Sequence, residues 1–384
     1  MHAVTLGEPA PNFFAESNNN PRFTFHSAAG RYVVLSFIGS AGDEIGKQVV
    51  WDWARVAPQF DSGKIAVFAV TSDPLDKEEN RIETSHAFLA FWDFDREIAK
   101  LYGILKQEAE GESYNCCSVI LDQQLRVLAI AALREGKDHV KRILHFISQQ
   151  PSWGGQAERL ESWAPVLMVP RILEPELCQR LIEAYEQGQP EDSGFMREVR
   201  GRTVSHLDHS FKRRSDVQIL DEELRSACRT RIARRLAPEI ERAFQFKATH
   251  IERYIVACYE ADGGGYFKPH RDNTTRGTAH RRFAVTINLN AEEYEGGDLR
   301  FPEYGYQTYR APTGGAVVFS CSLMHEATPI TEGRRYCTLP FLYDEAAAAL
   351  RRENMQYLGE APPIPGERTE RPGEDEQPLP SASG

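Results

Sequence analysis

The chain has 384 residues, more than one hydrophobic core usually organises, so two domains are expected. With 41% apolar and 26% charged residues its composition is that of an ordinary globular protein, which excludes a disordered or fibrous chain. Its 45 Lys and Arg against 56 Asp and Glu leave a net charge of −11, which argues against broad electrostatic binding to nucleic acid or to an anionic membrane.

The opening MHAVTLGEPAPNFF lacks the basic start and apolar run of a signal peptide. No stretch approaches the ~18 apolar residues that span a bilayer, so a cytoplasmic protein is expected. To about residue 150, strand-like and helix-like runs alternate. RYVVLSFIG and KIAVFAVTSD are apolar, β-branched and bounded by turn residues, as buried strands are. EIGKQVVWDWARVAPQF between them spaces its apolar positions helically, SVILDQQLRVLAIAAL reads as two strands joined by a turn, and GKDHVKRILHFISQQ returns to helical spacing. This order predicts an α/β layer structure with a parallel or mixed sheet. The seven cysteines, Cys116, Cys117, Cys178, Cys228, Cys258, Cys321 and Cys337, are odd in number and scattered through apolar runs, which fits reduced, packed thiols. Cys116 and Cys117 would point to opposite faces of a strand, which argues against a zinc site or an unstrained disulfide from these two alone.

Residues 4 to about 149 resemble the peroxiredoxin family of the thioredoxin fold, on the LGEPAPNF opening, the GRYVVLSF strand and the YNCCSVILDQQLRV hairpin. Peroxiredoxins carry a Pro, Thr and Cys series on the loop after that strand, the cysteine being the peroxidatic nucleophile. Counted without gaps from Phe37, the matching positions are Gly39, Asp43 and Gly46. Neither glycine nor aspartate replaces a thiolate, so the resemblance implies the fold without peroxidase activity. Cys116 and Cys117 read as packed thiols at a strand start, and the domain as a homodimerisation surface or a module that recruits a partner.

QQPSWGGQAERLESWAP, covering the expected linker at 151–165, mixes Pro, paired Gly and charge with Trp153 and Trp163, which are expected to pin the domains together. VPRILEPELCQRLIEAYEQG then reads as a short strand and a helix ending at Gly188, and LDEELRSACRTRIARRLAPEIERAF as further helix kinked or broken near Pro238. After these come short β-rich runs separated by Gly, Pro, Asn and Asp: ATHIERYIVACYE, RRFAVTINLN, GGDLRFPEY, TYRAPTGGAVVFS and RRYCTLPFLYD. Helices followed by many short strands predict a β-sandwich or barrel buttressed by helices. After about residue 347 the apolar periodicity fades into a Pro/Glu-rich tail, expected to be disordered over 348–384.

Two turns in this half offer metal ligands. In GGGYFKPHRDN, His270 and Asp272 are two apart and would project from one face of an extended segment; His325 follows the GGAVVFS strand. Two imidazoles and one carboxylate occupy one face of an octahedron and leave three positions open, as non-haem Fe(II) oxygenases require, whereas a structural zinc site wants four closed ligands. The basic cluster Arg276, His280, Arg281 and Arg282 reads as a solvated loop.

YIVACYEADGGGYFKPHRDN, INLN, GGDLRFPE, APTGGAVVFS and MHEATPITEGRRYCTLPFLYD occur in this order, and over residues 165 to about 346 they resemble the prolyl 4-hydroxylase and hypoxia-sensing prolyl hydroxylase branch of the 2-oxoglutarate-dependent oxygenases. The resemblance implies a double-stranded β-helix (jelly roll) over 166–347, with His270, Asp272 and His325 as the catalytic iron ligands. It further implies a basic residue gripping the distal carboxylate of 2-oxoglutarate, for which Arg334 and Arg335 compete. Arg335 is preferred, because its position after His325 matches the collagen-type enzymes and alternation groups it with Cys337 and Leu339. Tyr259, Thr286 and Asn288 are further candidates for the co-substrate pocket. Fe(II), 2-oxoglutarate and dioxygen are the implied cofactors, with L-ascorbate a further candidate.

The expected reaction is hydroxylation of an unactivated C–H bond, first of a prolyl residue in a protein. A small molecule or free amino acid is the alternative substrate, and a non-catalytic adaptor the alternative of another class. Asp272 argues against a halogenase, which vacates the carboxylate position for halide.

Overall fold

The computed structural model of the chain describes residues 3–108, 111–133, 138–150, 163–359 and 376–378. The chain divides into two compact units, residues 1–157 and 158–383.

The first unit is built on a five-stranded sheet in the order Phe88–Trp92, Ile65–Thr71, Tyr32–Gly39, Cys117–Leu121, Val127–Ala132; the first three strands run parallel and the last two antiparallel. Strand alternation sorts the core. Val33, Leu35 and Phe37 join one apolar cluster, and Tyr32, Val34 and Ile38 join the other, where the helices Glu44–Val56 and His139–Ser148 contribute Val49, Trp53, Ile143 and Ile147. The first face is aromatic: Phe13 stacks on Phe25, and Phe68 on Phe91. A mixed sheet covered on both sides is the α/β thioredoxin-like layer structure that the strand and helix order predicts.

The second unit is built on two main antiparallel sheets. The larger runs Glu191–Asp192, Ser215–Gln218, Ile255–Glu260, Arg334–Thr338, Phe283–Asn288, Phe341–Tyr343, His250–Glu252, Glu376–Pro378, with Ala316–Ser320 beside Phe283–Asn288 and Leu167–Val169 beyond it. The smaller runs Lys212–Arg213, Tyr266–His270, His325–Ala327, Leu299–Arg300, Thr308–Tyr309. Helices Pro175–Glu186, Glu222–Arg231 and Ala237–Phe244 cover the larger sheet, their Leu181, Leu224 and Ile240 packing with Val256, Cys258, Val285 and Ile287. The alternate residues Ile255, Ala257 and Tyr259 face the other way, into a cluster with Ala327 of the smaller sheet. This is the helix-buttressed double-stranded β-helix, and its interior between the sheets is where the candidate ligands lie.

Three expectations need correction. The helix is not broken at Pro238: a π-helical turn at Ile232–Leu236 joins the two segments, so the irregularity expected there lies in the turn just before the proline. The disordered tail does not begin at 348, because Asp344 caps a helix Glu345–Asn354 that buries Ala347 and Ala348, and Glu376–Pro378 pairs with His250–Glu252. Small alanines suffice for burial there, and apolar periodicity read from large side chains misses them. Trp153 lies outside the described residues. Trp163 packs edge-on against Tyr309 of its own unit, whose hydroxyl accepts from the Ala164 N–H at 3.0 Å, so the end of the expected linker is already part of the second domain.

Candidate metal centre

The triple glycine turns the chain so that ligands from distant segments meet. Gly263 (φ +89°) and Gly264 (φ +63°) take left-handed backbone between Ile255–Glu260 and Tyr266–His270, and a Cβ on Gly265 would stand 2.8 Å from the Glu260 nitrogen. His270 ends its strand directly opposite His325, the first residue of His325–Ala327. Asp272 follows on the loop, its backbone N–H donating to the Cys321 carbonyl at 3.0 Å.

His270 Nε2 is 3.6 Å from Asp272 Oδ1, and His325 Nε2 is 3.3 Å from Asp272 Oδ2. One ligand atom from each of the three lies within 4.8 Å of the others. Each imidazole donates Nδ1–H to the carbonyl two residues earlier, His270 to Lys268 at 2.8 Å and His325 to Leu323 at 3.0 Å. Those bonds select the tautomer that leaves both Nε2 lone pairs free for a cation. Burial pushes His270 down to about 4, with nearby His325 adding to the effect. Burial pushes Asp272 up, but His325 and His270 outweigh it and hold the carboxyl well below the usual range. A neutral His270 and an ionised Asp272 are the protonation states that bind metal. Cis ligands about 2.1 Å from an ion lie about 3 Å apart, so a small inward shift would let these donors share one. The residues fit Fe(II) with open positions. Phe267 lies flat against His270, and Phe319 and Phe301 flank His325, so the ligands are walled by rings.

A cavity of about 470 Å³ adjoins the triad, lined from both sheets. Tyr259 and Arg335 stand opposite each other in register, with the guanidinium 5.2 Å from the ring centroid. Arg335 is 2% exposed. Its Nη1 donates to the Gly297 carbonyl, while its Nε has no partner among the described residues. Thr286 lines the same cavity. Arg334 instead turns outward, 3.4 Å from Glu186 and 3.2 Å from Glu260.

Asn288 does not join them. Alternation places it on the face of Ala284 and Thr286, but the cavity lining stops at Thr286, and the Asn288 amide donates to the Ala311 carbonyl at 2.7 Å. His280 is not a solvated loop residue either. It is 1% exposed, with Nε2 2.7 Å from Glu252, whose other oxygen accepts from Arg281 at 2.6 Å. A local run of charge gave no sign of a carboxylate folding over it from 28 residues away. Sequence reasoning also passed over Lys212, Arg214, Asp216, Glu252 and Arg253, which line the cavity. The signal available was charge embedded in strand-like runs, SFKRRSDVQ and HIERYI.

The loop that would carry a peroxidatic cysteine is closed in the first unit. A Cβ on Gly46 would lie 2.0 Å from the Ser40 carbonyl oxygen. The fully buried Asp76 accepts from the Ala41 N–H at 2.7 Å and from the Thr71 hydroxyl at 2.5 Å, placing a carboxylate of the chain itself beside the start of helix Glu44–Val56. Cys116 and Cys117 belong to the clusters on opposite faces of the sheet. Burial raises both thiols, Cys117 to about 12, which suppresses the thiolate. All seven cysteines are free.

Residues 254–343 match the family model described as the 2OG-Fe(II) oxygenase superfamily, and residues 6–129 match the AhpC/TSA family. A PKHD-type hydroxylase of Synechococcus sp. (strain JA-2-3B'a(2-13)) is 30% identical over 98 residues, covering 24% of this chain and 43% of that protein. The chain thus spans about two-fifths of the length of the first curated relatives it matches. Among solved structures, a prolyl hydroxylase from Trichoplax adhaerens in complex with a hypoxia inducible factor oxygen degradation domain peptide superposes at a TM-score of 0.40 and 18% identity, over 48% of this chain and 86% of that one. Peroxidoxin BcpB of Mycobacterium tuberculosis gives 0.34 and 15%, over 39% and 99%. The chain joins an AhpC/TSA-family domain in its N-terminal half to a domain of the 2OG-Fe(II) oxygenase superfamily in its C-terminal half.

Proposed function

We propose that the C-terminal domain is an Fe(II)- and 2-oxoglutarate-dependent dioxygenase that hydroxylates an unactivated C–H bond, with a prolyl carbon of a protein as the first substrate to test. One observation carries the reading: His270, Asp272 and His325 present their donor atoms to one point beside a cavity that also holds Arg335, a buried guanidinium with no carboxylate partner among the described residues. An adaptor has no need of that set.

Bound there, Fe(II) with 2-oxoglutarate and dioxygen would supply the oxidation that converts C–H to C–OH, with succinate and carbon dioxide as co-products. Arg335 would take the distal carboxylate of 2-oxoglutarate, a role suited to a permanently charged planar fork. Tyr259, packed against that guanidinium, orients it, and Thr286 closes the adjoining wall. Phe267, Phe301 and Phe319 keep bulk water from the two imidazoles, while the Lys268 and Leu323 carbonyls hold the rings in the ligating tautomer.

The test is succinate formation from 2-oxoglutarate by anaerobically purified protein given Fe(II) and then air. Turnover that disappears in His270→Ala supports the reading. Absence of turnover together with absence of a metal-to-ligand absorption band on anaerobic addition of 2-oxoglutarate sinks it.

A further inference from the structure

Seven cationic side chains line the cavity, Lys212, Arg214, Arg253, Arg271, Arg281, Arg335 and Arg351, against three carboxylates, Asp216, Glu252 and Asp272. Most of this charge is spoken for. Arg214 grips Asp216 through two nitrogens, at 2.7 and 2.6 Å, and Arg281 grips Glu252 at 3.1 and 2.6 Å. Arg271 reaches Glu303 at 2.6 Å and Arg351 the Tyr343 hydroxyl at 3.1 Å. Lys212 donates to Ser193 and Gly194 and lies 4.9 Å from the Phe267 ring centroid. Asp272 belongs to the metal triad, and Arg335 is assigned above to the co-substrate.

Arg253, like Lys212, is held by no carboxylate among the described residues, and unlike Lys212 it carries a planar fork. Both ion pairs act on it electrostatically, but its bonds go elsewhere: its Nε and Nη2 both donate to the Leu339 carbonyl, at 3.2 and 3.0 Å, and Nη1 has no acceptor among the described residues. Its guanidinium lies 4.7 Å from the Phe341 ring centroid, and the ring and the carbonyl together fix the direction of the fork. Its backbone is at φ +74°, a left-handed conformation that a long side chain adopts only at a cost and that tends to persist where the surroundings require it. Burial, with the neighbouring Arg214 adding to it, pushes this guanidinium down to about 10, and the nearby Asp216 and Glu252 carboxylates offset only part of the effect. A half-buried, pre-oriented fork of this kind is a carboxylate receptor.

We infer that Arg253 is the anchor of a second anion subsite, separate from Arg335, which selects an oxygenase substrate bearing a free carboxylate. This rests on the dioxygenase reading and narrows its substrate class to acids: an amino acid, or a peptide presenting its C-terminal or side-chain carboxylate. The flanking pairs Arg214–Asp216 and Arg281–Glu252 are self-neutralised and shape the walls of the subsite.

The experiment uses the full-length Fe(II) protein and a panel of paired probes, each amino acid or short prolyl peptide offered as the free acid and as its carboxamide. Succinate formation is followed above the level without probe. At least one acid is expected to stimulate turnover with a KM ten-fold or more below that of its amide. Arg253→Met should collapse that ratio toward one by raising the KM of the acid, while Arg253→Lys, which keeps the charge but loses the fork, should retain part of it. Basal turnover without any acid-over-amide preference in the panel overturns the inference alone, as does a preference that survives in Arg253→Met. If basal turnover and the 2-oxoglutarate absorption band are both missing, the dioxygenase reading falls and the inference falls with it. Preference among peptides only, or among free amino acids only, separates the two sources of the carboxylate.

Discussion

Arg334 and Arg335 are neighbours in one strand, and they point to opposite sides of it. Arg334 is paired with Glu186 and Glu260 at the surface, while Arg335 is buried over Tyr259 inside the cavity. If Arg335 grips 2-oxoglutarate, its loss removes a charge-assisted pair worth about 1.5–3 kcal/mol, or roughly ten-fold or more in affinity. Arg335→Leu is expected to weaken 2-oxoglutarate binding by at least that factor in an anaerobic titration of the Fe(II) protein. Arg334→Ala, which breaks only exposed ion pairs, is expected to move it less than two-fold.

The metal assignment has a readout independent of turnover. A cation that binds the native state and not the unfolded one stabilises by about 2.7 kcal/mol at a hundred times its dissociation constant. Anaerobic Fe(II) should therefore raise the unfolding temperature of the C-terminal domain by several degrees, and a chelator should reverse the rise. In Asp272→Ala the rise should be absent, because two imidazoles alone no longer close the facial set. An unchanged shift in that variant would place the metal elsewhere.

Much of this site was legible because its residues lie at fixed offsets within extended segments. His270 and Asp272 share a turn, and the spacing from His325 together with strand alternation separates Arg335 from Arg334. The resemblance offered Asn288 beside Thr286 for the co-substrate pocket, and alternation, which reports a face but not a depth, could not show that the cavity ends before it. The residues that shape the rest of the cavity were not legible because their partners are remote. Glu252 neutralises Arg281 across 29 residues, and the exceptional state of Arg253 lies in a backbone angle and an absent partner, neither of which the sequence displays. In the first domain the missing cysteine was plain from counting, but the carbonyl that now occupies its space was not.

That carbonyl makes a prediction about repair. Restoring a cysteine at position 46 does not restore a peroxidase, because its Cβ would stand 2.0 Å from the Ser40 carbonyl oxygen and the loop must move to admit it. Overpacking of this kind costs about 1–3 kcal/mol. Gly46→Cys is expected to lower the unfolding temperature of the N-terminal domain and to leave peroxide consumption at background. Peroxide consumption in that variant, with unfolding unchanged, would mean that the loop opens readily and the site is dormant.

The N-terminal domain also carries a buried titratable group whose effect on stability has a defined sign. His139 starts a helix and closes a buried chain of hydrogen bonds, in which its Nε2 meets the Ser118 hydroxyl at 2.9 Å, Ser118 meets Ser36 at 2.8 Å, and Trp53 Nε1 donates to Ser36 at 3.2 Å. Burial, with Arg142 adding to it, pushes the imidazole from its ordinary 6.5 down to about 4. Between those values the unfolded chain binds a proton that the folded chain does not, so this contribution is complete above pH 6.5 and is lost as the pH falls toward 4. Asp93 works against it: burial lifts its carboxyl from 3.8 to about 6, so the folded chain binds the extra proton and its contribution fades as the pH rises through that range. A single pH scan of the wild type would mix the two. The clean comparison is His139→Gln, which keeps a hydrogen-bonding side chain and removes the titration. Its unfolding temperature should lie furthest below wild type at pH 7 and approach or pass it as the pH falls to 4. A constant gap across that window would mean that His139 takes up its proton at the same pH in the folded domain as in the unfolded chain, and that burial does not keep it neutral.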